Sequence, residues 1–212
     1  MNNTYARRLD AVMAGHRGDD AAAEQLLADE DPSVRAAALG ALARCKALTA
    51  AHVLTALRDP ATQVRCRAAE LAPPDMPLVH LLADEDPSVV EAAATALGER
   101  DRDATPVSEL CRVATGHDDP LCRESAIAAL GAIAAGLDND DEGEPRHHPA
   151  RAAALEVLLA AMDDRPQIRR RALLGLHQFA DESAEAAVAA ALEDNDRQVR
   201  AVAGELLGVP VR

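Results

Sequence analysis

The sequence predicts an all-α solenoid, a stack of about six helical hairpins behind an N-terminal capping helix. Three observations predict it: a segment that recurs six times, helical spacing of the apolar residues inside it, and a near-absence of aromatic rings. The copies are DEDPSVRAAALGAL, RDPATQVRCRAAELA, DEDPSVVEAAATAL, HDDPLCRESAIAAL, DDRPQIRRRALLGL and EDNDRQVRAVAGELL. One aligned column holds Val34, Val64, Val89, Cys122, Ile168 and Val199, and the next residue is Arg35, Arg65, Arg123, Arg169 or Arg200, with Val90 the exception. Four positions after the first column stands alanine in every copy: Ala38, Ala68, Ala93, Ala126, Ala172 and Ala203. Eight after it come Leu42, Ala72, Leu97, Leu130, Leu176 and Leu207. Five before it come Asp29, Asp59, Asp84, Asp163 and Asp194, with His117 the exception. Columns at 0, +4 and +8 trace one face of an α-helix. The 212 residues include only two rings, Tyr5 and Phe179, and no Trp. A compact globule fills its centre with rings; a core of Ala, Leu and Val suits thin, repeated layers.

The whole chain, 1–212, reads as one domain. Residues 1–19 carry a stripe of Tyr5, Leu9, Val12 and Met13, with Asn3 or Thr4 as a cap, and predict a helix covering the first repeat. Residues 20–208 hold the repeats. The second helix of a hairpin starts where an aspartate precedes a proline, at Asp31-Pro32, Asp86-Pro87 and Asp119-Pro120: the carboxylate caps and the proline takes the first helical position. A first helix precedes each, marked by stripes such as Val53/Leu54/Leu57, Leu78/Leu81/Leu82 and Val107/Leu110/Val113. Neither helix can bury its stripe alone, and stacking buries both. The alanine column lets helices approach closely.

Successive column residues lie 30, 25, 33, 46 and 31 positions apart. The short junction holds Pro73, Pro74 and Pro77, which cannot continue a helix, so the third repeat's first helix is a truncated piece near 77–83. The long junction, 137–149, is rich in acids and includes His147-His148. It reads as a solvated loop; the alternative is a metal site on the clustered carboxylates and the histidine pair, although the alternating carboxylate spacing of a calcium loop is missing. Near the other end, Val202 and Leu206 face either the preceding layer or another chain, so the oligomeric state stays open.

The Asp-Pro-x-Val-Arg runs, best at Asp31–Arg35 and looser at Asp119–Arg123 and Asp194–Arg200, resemble the HEAT-repeat family in its short bacterial form, which includes phycobilisome-lyase-type repeats. The resemblance covers roughly 20–208. It implies that the aspartate and arginine columns form a ladder between neighbouring repeats, and that second helices line a concave side. It specifies fold more than task, because such repeats serve scaffolds, adaptors and enzymes.

Composition narrows the task. Lys and Arg number 22 against 36 Asp and Glu, a net charge of −14, which disfavours nucleic-acid backbones and anionic membranes as partners. The cysteines show no CxxC spacing and read as reduced thiols. With no apolar leader and no long apolar run, the expectation is a soluble, cytoplasmic protein. No nucleophile elbow, phosphate loop, dinucleotide fingerprint or His-Glu-x-x-His stands in the chain. A deoxyhypusine-hydroxylase-like iron site needs His-Glu pairs, and the sequence has none. A DNA-glycosylase-like cradle needs basic and aromatic side chains that are missing. The expectation is therefore no enzyme, no metal and no cofactor, with a small phycobilin-lyase-like or other modifying enzyme as the alternative. Cys122, in the valine column, reads as a core thiol, and Cys66 as the more accessible one.

Positions +2, +6 and +9 lie opposite the 0/+4/+8 stripe, by a helical step of about 100° per residue. They include small residues together with the acids Glu70, Glu91, Glu124 and Glu205. The candidate partner-binding residues are Glu70, Glu91, Thr95, Glu124, Arg170 and His177. The expected function is a scaffold or adaptor binding a protein partner, with Lys or Arg on that partner favoured by the acids.

Overall fold

The computed structural model describes residues 4–100, 103–137 and 148–210, with twelve α-helices among them. They divide into two compact units, Met1–Ala93 and Ala94–Arg212. The first contains α1 (Thr4–Arg17), α2 (Asp20–Gln25), α3 (Pro32–Arg44), α4 (Ala50–Ala56), α5 (Thr62–Glu70) and the start of α6 (Pro87–Gly98). The second contains the end of α6 and then α7 (Val107–Gly116), α8 (Pro120–Gly136), α9 (Pro149–Ala160), α10 (Pro166–Leu176), α11 (Glu182–Ala190) and α12 (Arg197–Leu207). After α1 the elements pair into six hairpins, an α-solenoid. The second helices start as expected: Asp31 accepts from Ser33 N–H at 2.8 Å, Asp86 from Ser88 N–H at 3.0 Å and Asp119 from Leu121 N–H at 2.8 Å.

First helices are shorter than their stripes suggest. Three of them tighten into a 3₁₀ turn, at Leu26–Ala28, Ala161–Asp163 and Ala191–Glu193. In the third hairpin only the 3₁₀ segment Val79–Ala83 forms, after the three prolines. Among the second helices the valine and alanine columns are buried in all six copies, and Leu42, Leu97, Leu130 and Leu176 are fully enclosed. Each such leucine adds about 1.5–3 kcal/mol over an exposed one. Ala72 is half-buried and Leu207 is 41% exposed.

The reading of α1 needs correction. Its buried face is Ala11, Ala14 and Gly15, while Tyr5, Leu9 and Met13 of the expected stripe are 75%, 46% and 40% exposed. The reason is distance. A Cβ on Gly15 would lie 2.8 Å from the Ala41 Cα, so only small residues fit between α1 and α3.

The predicted ladder is present and has a definite geometry. Arg35, Arg65, Arg123 and Arg169 each reach forward to the aspartate of the next repeat with two N–H groups, as a fork on a carboxylate. Nε and Nη2 donate at 2.8 and 2.7 Å from Arg35 to Asp59, and at 2.9 and 2.8 Å from Arg65 to Asp84. The same groups donate at 2.8 and 3.0 Å from Arg123 to Asp164, and at 2.8 and 2.6 Å from Arg169 to Asp194. Nη1 reaches back to the loop before its own helix, for instance from Arg123 to the His117 carbonyl at 2.9 Å. Arg200 keeps the backward bond, to the Asp194 carbonyl at 2.7 Å. Arg7 makes the same fork onto Asp29, at 2.8 and 3.1 Å. By that measure α1 is a second helix in register, with Arg7 in the arginine column.

Asp163 was expected in the ladder, and Asp164 takes the place instead. Asp29, Asp84, Asp164 and Asp194 each cap the C-terminus of their 3₁₀ segment. The receiving carboxylate is thus fixed by where that turn ends, and in the fifth repeat it ends one residue later. Asp163 is exposed. In the long junction, 138–147 fall outside the described residues, so the expectation of a plain acidic loop there is not addressed. His148 caps α9, its Nδ1 accepting from Ala150 N–H at 3.2 Å.

Removing a hydrogen-bonded charge from its half-buried partner costs about 1–3 kcal/mol, while an exposed site stays within about 0.5 kcal/mol. Arg123→Ala and Asp164→Ala are therefore expected to lower the urea midpoint clearly. Arg112→Ala, on an exposed side chain of α7, and Asp163→Ala are expected to leave it nearly unchanged.

The ladder also sets an acid limit. The Arg123 fork holds the Asp164 carboxyl below its ordinary value, and Arg169 does the same for Asp194. At Asp59 and Asp84 burial pushes upward as the largest single influence, yet the arginine and the loop N–H together outweigh it and the carboxyl is again lowered. A carboxyl depressed on folding stabilises fully above its unfolded pKa, about 3.9, and that contribution is lost as pH falls through the folded value. Melting temperatures are expected to be flat with respect to these groups above about pH 5 and to fall below about pH 4, with a shallower fall in Asp164→Asn.

Candidate partner-binding face

The +2 and +6 residues of α1, α3 and α5 share one side of the N-terminal unit. With Arg7 in the ladder column, Arg8 and Val12 take these positions on α1, beside Ala36 and Gly40 on α3 and Cys66 and Glu70 on α5. Arg8, Val12, Ala36, Gly40, Arg44 and Arg67 line a cavity of about 350 Å³. Ala36 and Arg67 continue, with Gln63, Cys66, Glu70 and Ser88, into a shallower groove of about 600 Å³.

The six candidates differ in state. Glu70, exposed, accepts from Arg67 Nη1 at 2.7 Å, a contact one helical turn away. Glu124, half-buried on α8, accepts from Arg171 Nε at 3.1 Å. Glu91 on α6 is half-buried and Thr95, one turn on, is exposed; neither side chain makes an ion pair or hydrogen bond among the described residues. Arg170 on α10 is half-buried, and His177, just after α10, is exposed. Two of the acids thus already hold arginines, and these α5 and α8 positions are less negative than the sequence suggests.

The +9 positions of α6 and α8 are not an open surface, whereas His177 and Gly208 at +9 of α10 and α12 are exposed. Gly131 is buried, and a Cβ there would lie 2.8 Å from the Gly175 Cα; one on Gly98 would lie 2.8 Å from the Ala129 Cα. Position +9 of one second helix therefore meets +7 of the next, as Gly15 meets Ala41. Small residues here serve helix contact. Gly131→Ala is expected to destabilise by about 1–3 kcal/mol through overpacking, although alanine favours an exposed helix position by about 1 kcal/mol. Gly116→Ala, where a Cβ meets nothing within 4 Å, is expected to be neutral or stabilising. Melts of the two variants check this.

All four cysteines are free thiols. Cys66 lies in the groove, but burial first and then Asp86 and Glu70 push its thiol upward, away from a reactive thiolate. Among the described residues no group of three or more His, Cys, Asp or Glu is placed to hold a metal ion, and no helix is long and apolar enough to cross a membrane. Sequence reasoning missed Arg8, Arg44 and Gln63. Arg8 was within reach: aligning α1 with the second helices puts Arg7 in the arginine column and Arg8 at +2.

The fold is an all-α helical-repeat solenoid like those of HEAT and armadillo structures. The sequence similarity is to HEAT repeats, whose family model matches residues 76–155. Among solved structures, importin beta in an ammonium sulfate condition aligns at a TM-score of 0.64 and 18% identity, over 95% of this chain and 31% of its own. An engineered protein aligns at 0.63 and 22% identity, over 91% of this chain and 58% of its own. A designed armadillo repeat protein in complex with the peptide (KR)4 aligns at 0.51 and 15% identity, over 96% and 90%. At such identities the likeness is one of fold, and this chain spans less than two thirds of the first two. No curated protein sequence matches it.

Proposed function

We propose that the chain is a non-enzymatic scaffold or adaptor that holds a protein partner against its second-helix face. The observation that carries the reading is the open groove over α1, α3 and α5, lined at +2 and +6 by Ala36, Gly40, Cys66 and Glu70. Small side chains let a partner's backbone come close, and polar neighbours orient it. The designed armadillo protein bound to (KR)4 supports the reading by analogy of fold. Glu91 in the first unit and Glu205 in the second, which make no ion pair among the described residues, are the acids at these helical positions left to meet lysine or arginine on the partner. Thr95, Arg170 and His177 add hydrogen-bonding groups at the same helical positions or beside them.

The test is capture from the native cell with the immobilised chain, followed by identification of what co-elutes. A stoichiometric protein is expected, lost in Glu91→Lys/Thr95→Lys and retained in Glu156→Lys/Glu185→Lys, which alters first helices. Capture that survives the first pair moves the site off this face, and a co-eluting pigment or metal in place of a protein makes the chain a modifying enzyme.

A further inference from the structure

We infer that the cavity between α1, α3 and α5 is an anion pocket, and that it takes acidic side chains of an extended peptide segment of the partner. The inference rests on the reading of the second-helix face as a docking surface and adds the chemistry of what docks there.

The chain is strongly acidic, yet this cavity is lined by three arginines, Arg8, Arg44 and Arg67, and by no carboxylate. Elsewhere in the unit the arginines Arg7, Arg35 and Arg65 are consumed by aspartates of the ladder. Arg8 and Arg44 are exposed and make no ion pair among the described residues, and Arg67 holds only Glu70, an exposed residue outside this cavity. Three like charges around one space repel each other and call for an anion between them.

The backbone is cut to suit this arrangement. A Cβ on Gly40 would lie 2.9 Å from Arg67 Nη2 and meet no other residue closely, so the missing side chain is the space the guanidinium occupies. At the equivalent position α5 carries Glu70, α6 Thr95 and α10 Leu174. A cavity of about 350 Å³ accommodates a side-chain carboxylate and its neighbours. Through Ala36, Gln63 and Arg67 it opens into the 600 Å³ groove, which gives room for a chain to run on. The exposed Gln63 amide, common to both, offers a donor and an acceptor to a peptide backbone. Guanidinium groups grip carboxylates as a fork.

The probe is a fluorescein-labelled octapeptide of alternating Glu and Gly, read by anisotropy, with an alternating Lys and Gly octapeptide and a single-stranded oligonucleotide as comparisons. Saturable, salt-sensitive binding of the Glu peptide is expected, weakened at least tenfold in Arg8→Glu/Arg44→Glu with an unchanged thermal melt. Gly40→Ala, which displaces Arg67, is expected to weaken it less. Glu-peptide binding that is absent or ignores the double substitution overturns the pocket, as does preference for the Lys peptide. Equal binding of the oligonucleotide, lost in the same variant, overturns the peptide assignment. If partner capture survives both Arg8→Glu/Arg44→Glu and Glu91→Lys/Thr95→Lys, the face itself is wrong. If it is lost in the latter while Glu-peptide binding ignores the arginines, only the pocket is wrong.

Discussion

Wherever the ladder runs, the contact between successive repeats is organised by one arginine that does two jobs. Its Nη1 closes the loop ahead of its own helix, and its Nε and Nη2 fork onto the aspartate of the next repeat. That aspartate in turn accepts the N–H two residues on, as Asp59 does from Ala61 at 2.9 Å and Asp84 from Asp86 at 3.0 Å. Fixing one guanidinium therefore fixes two loops and the spacing between two second helices. Half-buried ion pairs give back in attraction much of what they lose in desolvation, so the ladder's contribution lies more in register than in net stability. A one-residue slip of a second helix would take the fork away from its carboxylate.

The close spacing set by the ladder dictates what can stand between the helices. Alanine at +4 and small residues where +9 meets +7 follow from approaches such as Gly131 on Gly175. Large aromatic rings have no room in such layers, which explains why Phe179, the buried ring, sits in a loop beyond α10 with the Arg151 guanidinium 4.2 Å from its centroid. The same thinness leaves the +2 and +6 side without a covering layer in the N-terminal unit, and there the cavities open. Binding surface and core economy are two consequences of one spacing.

Much of this was legible in the sequence, because a column repeated six times averages away local accident. The alanine column, the Asp-Pro starts and the truncated first helix near 77–83 all follow from spacing and from the chemistry of proline. What was not legible depended on things a column does not carry. Asp163 and Asp164 differ by one residue, and only the end of a 3₁₀ turn decides between them. The Tyr5, Leu9 and Met13 stripe has helical spacing, but amphipathicity cannot say that a neighbouring alanine admits only the opposite, smaller face. Glycines at +9 look like an open strip from the helical wheel, and become a contact only when the next helix is in place. Of the face, the +2 and +6 residues were named from period alone; Arg8 needed the missing register of α1, and Arg44 on α3 and Arg67 on α5 stand off those two positions.

The exception in each ladder column turns out to be one exception. In the sequence the arginine of one copy is matched by an aspartate in the next, and the unmatched pair is Val90 in the third copy and His117 in the fourth, so both charges are absent together. Losing only one would leave an arginine or a carboxylate half-buried without its partner, which costs more than losing both. Val90 is fully buried, as suits an apolar replacement. His117 shows which half of the aspartate's work survives: its Nδ1 accepts the Asp119 N–H at 3.1 Å, the bond that Asp59 and Asp84 give their own loops. An imidazole nitrogen suffices for that role, whereas gripping an arginine fork needs two oxygens. The division between the compact units, at Ala93 and Ala94, lies four residues from Val90 in sequence. Loop closure is therefore separable from the ion pair, and the fourth copy keeps it with an imidazole where the other copies use a carboxylate.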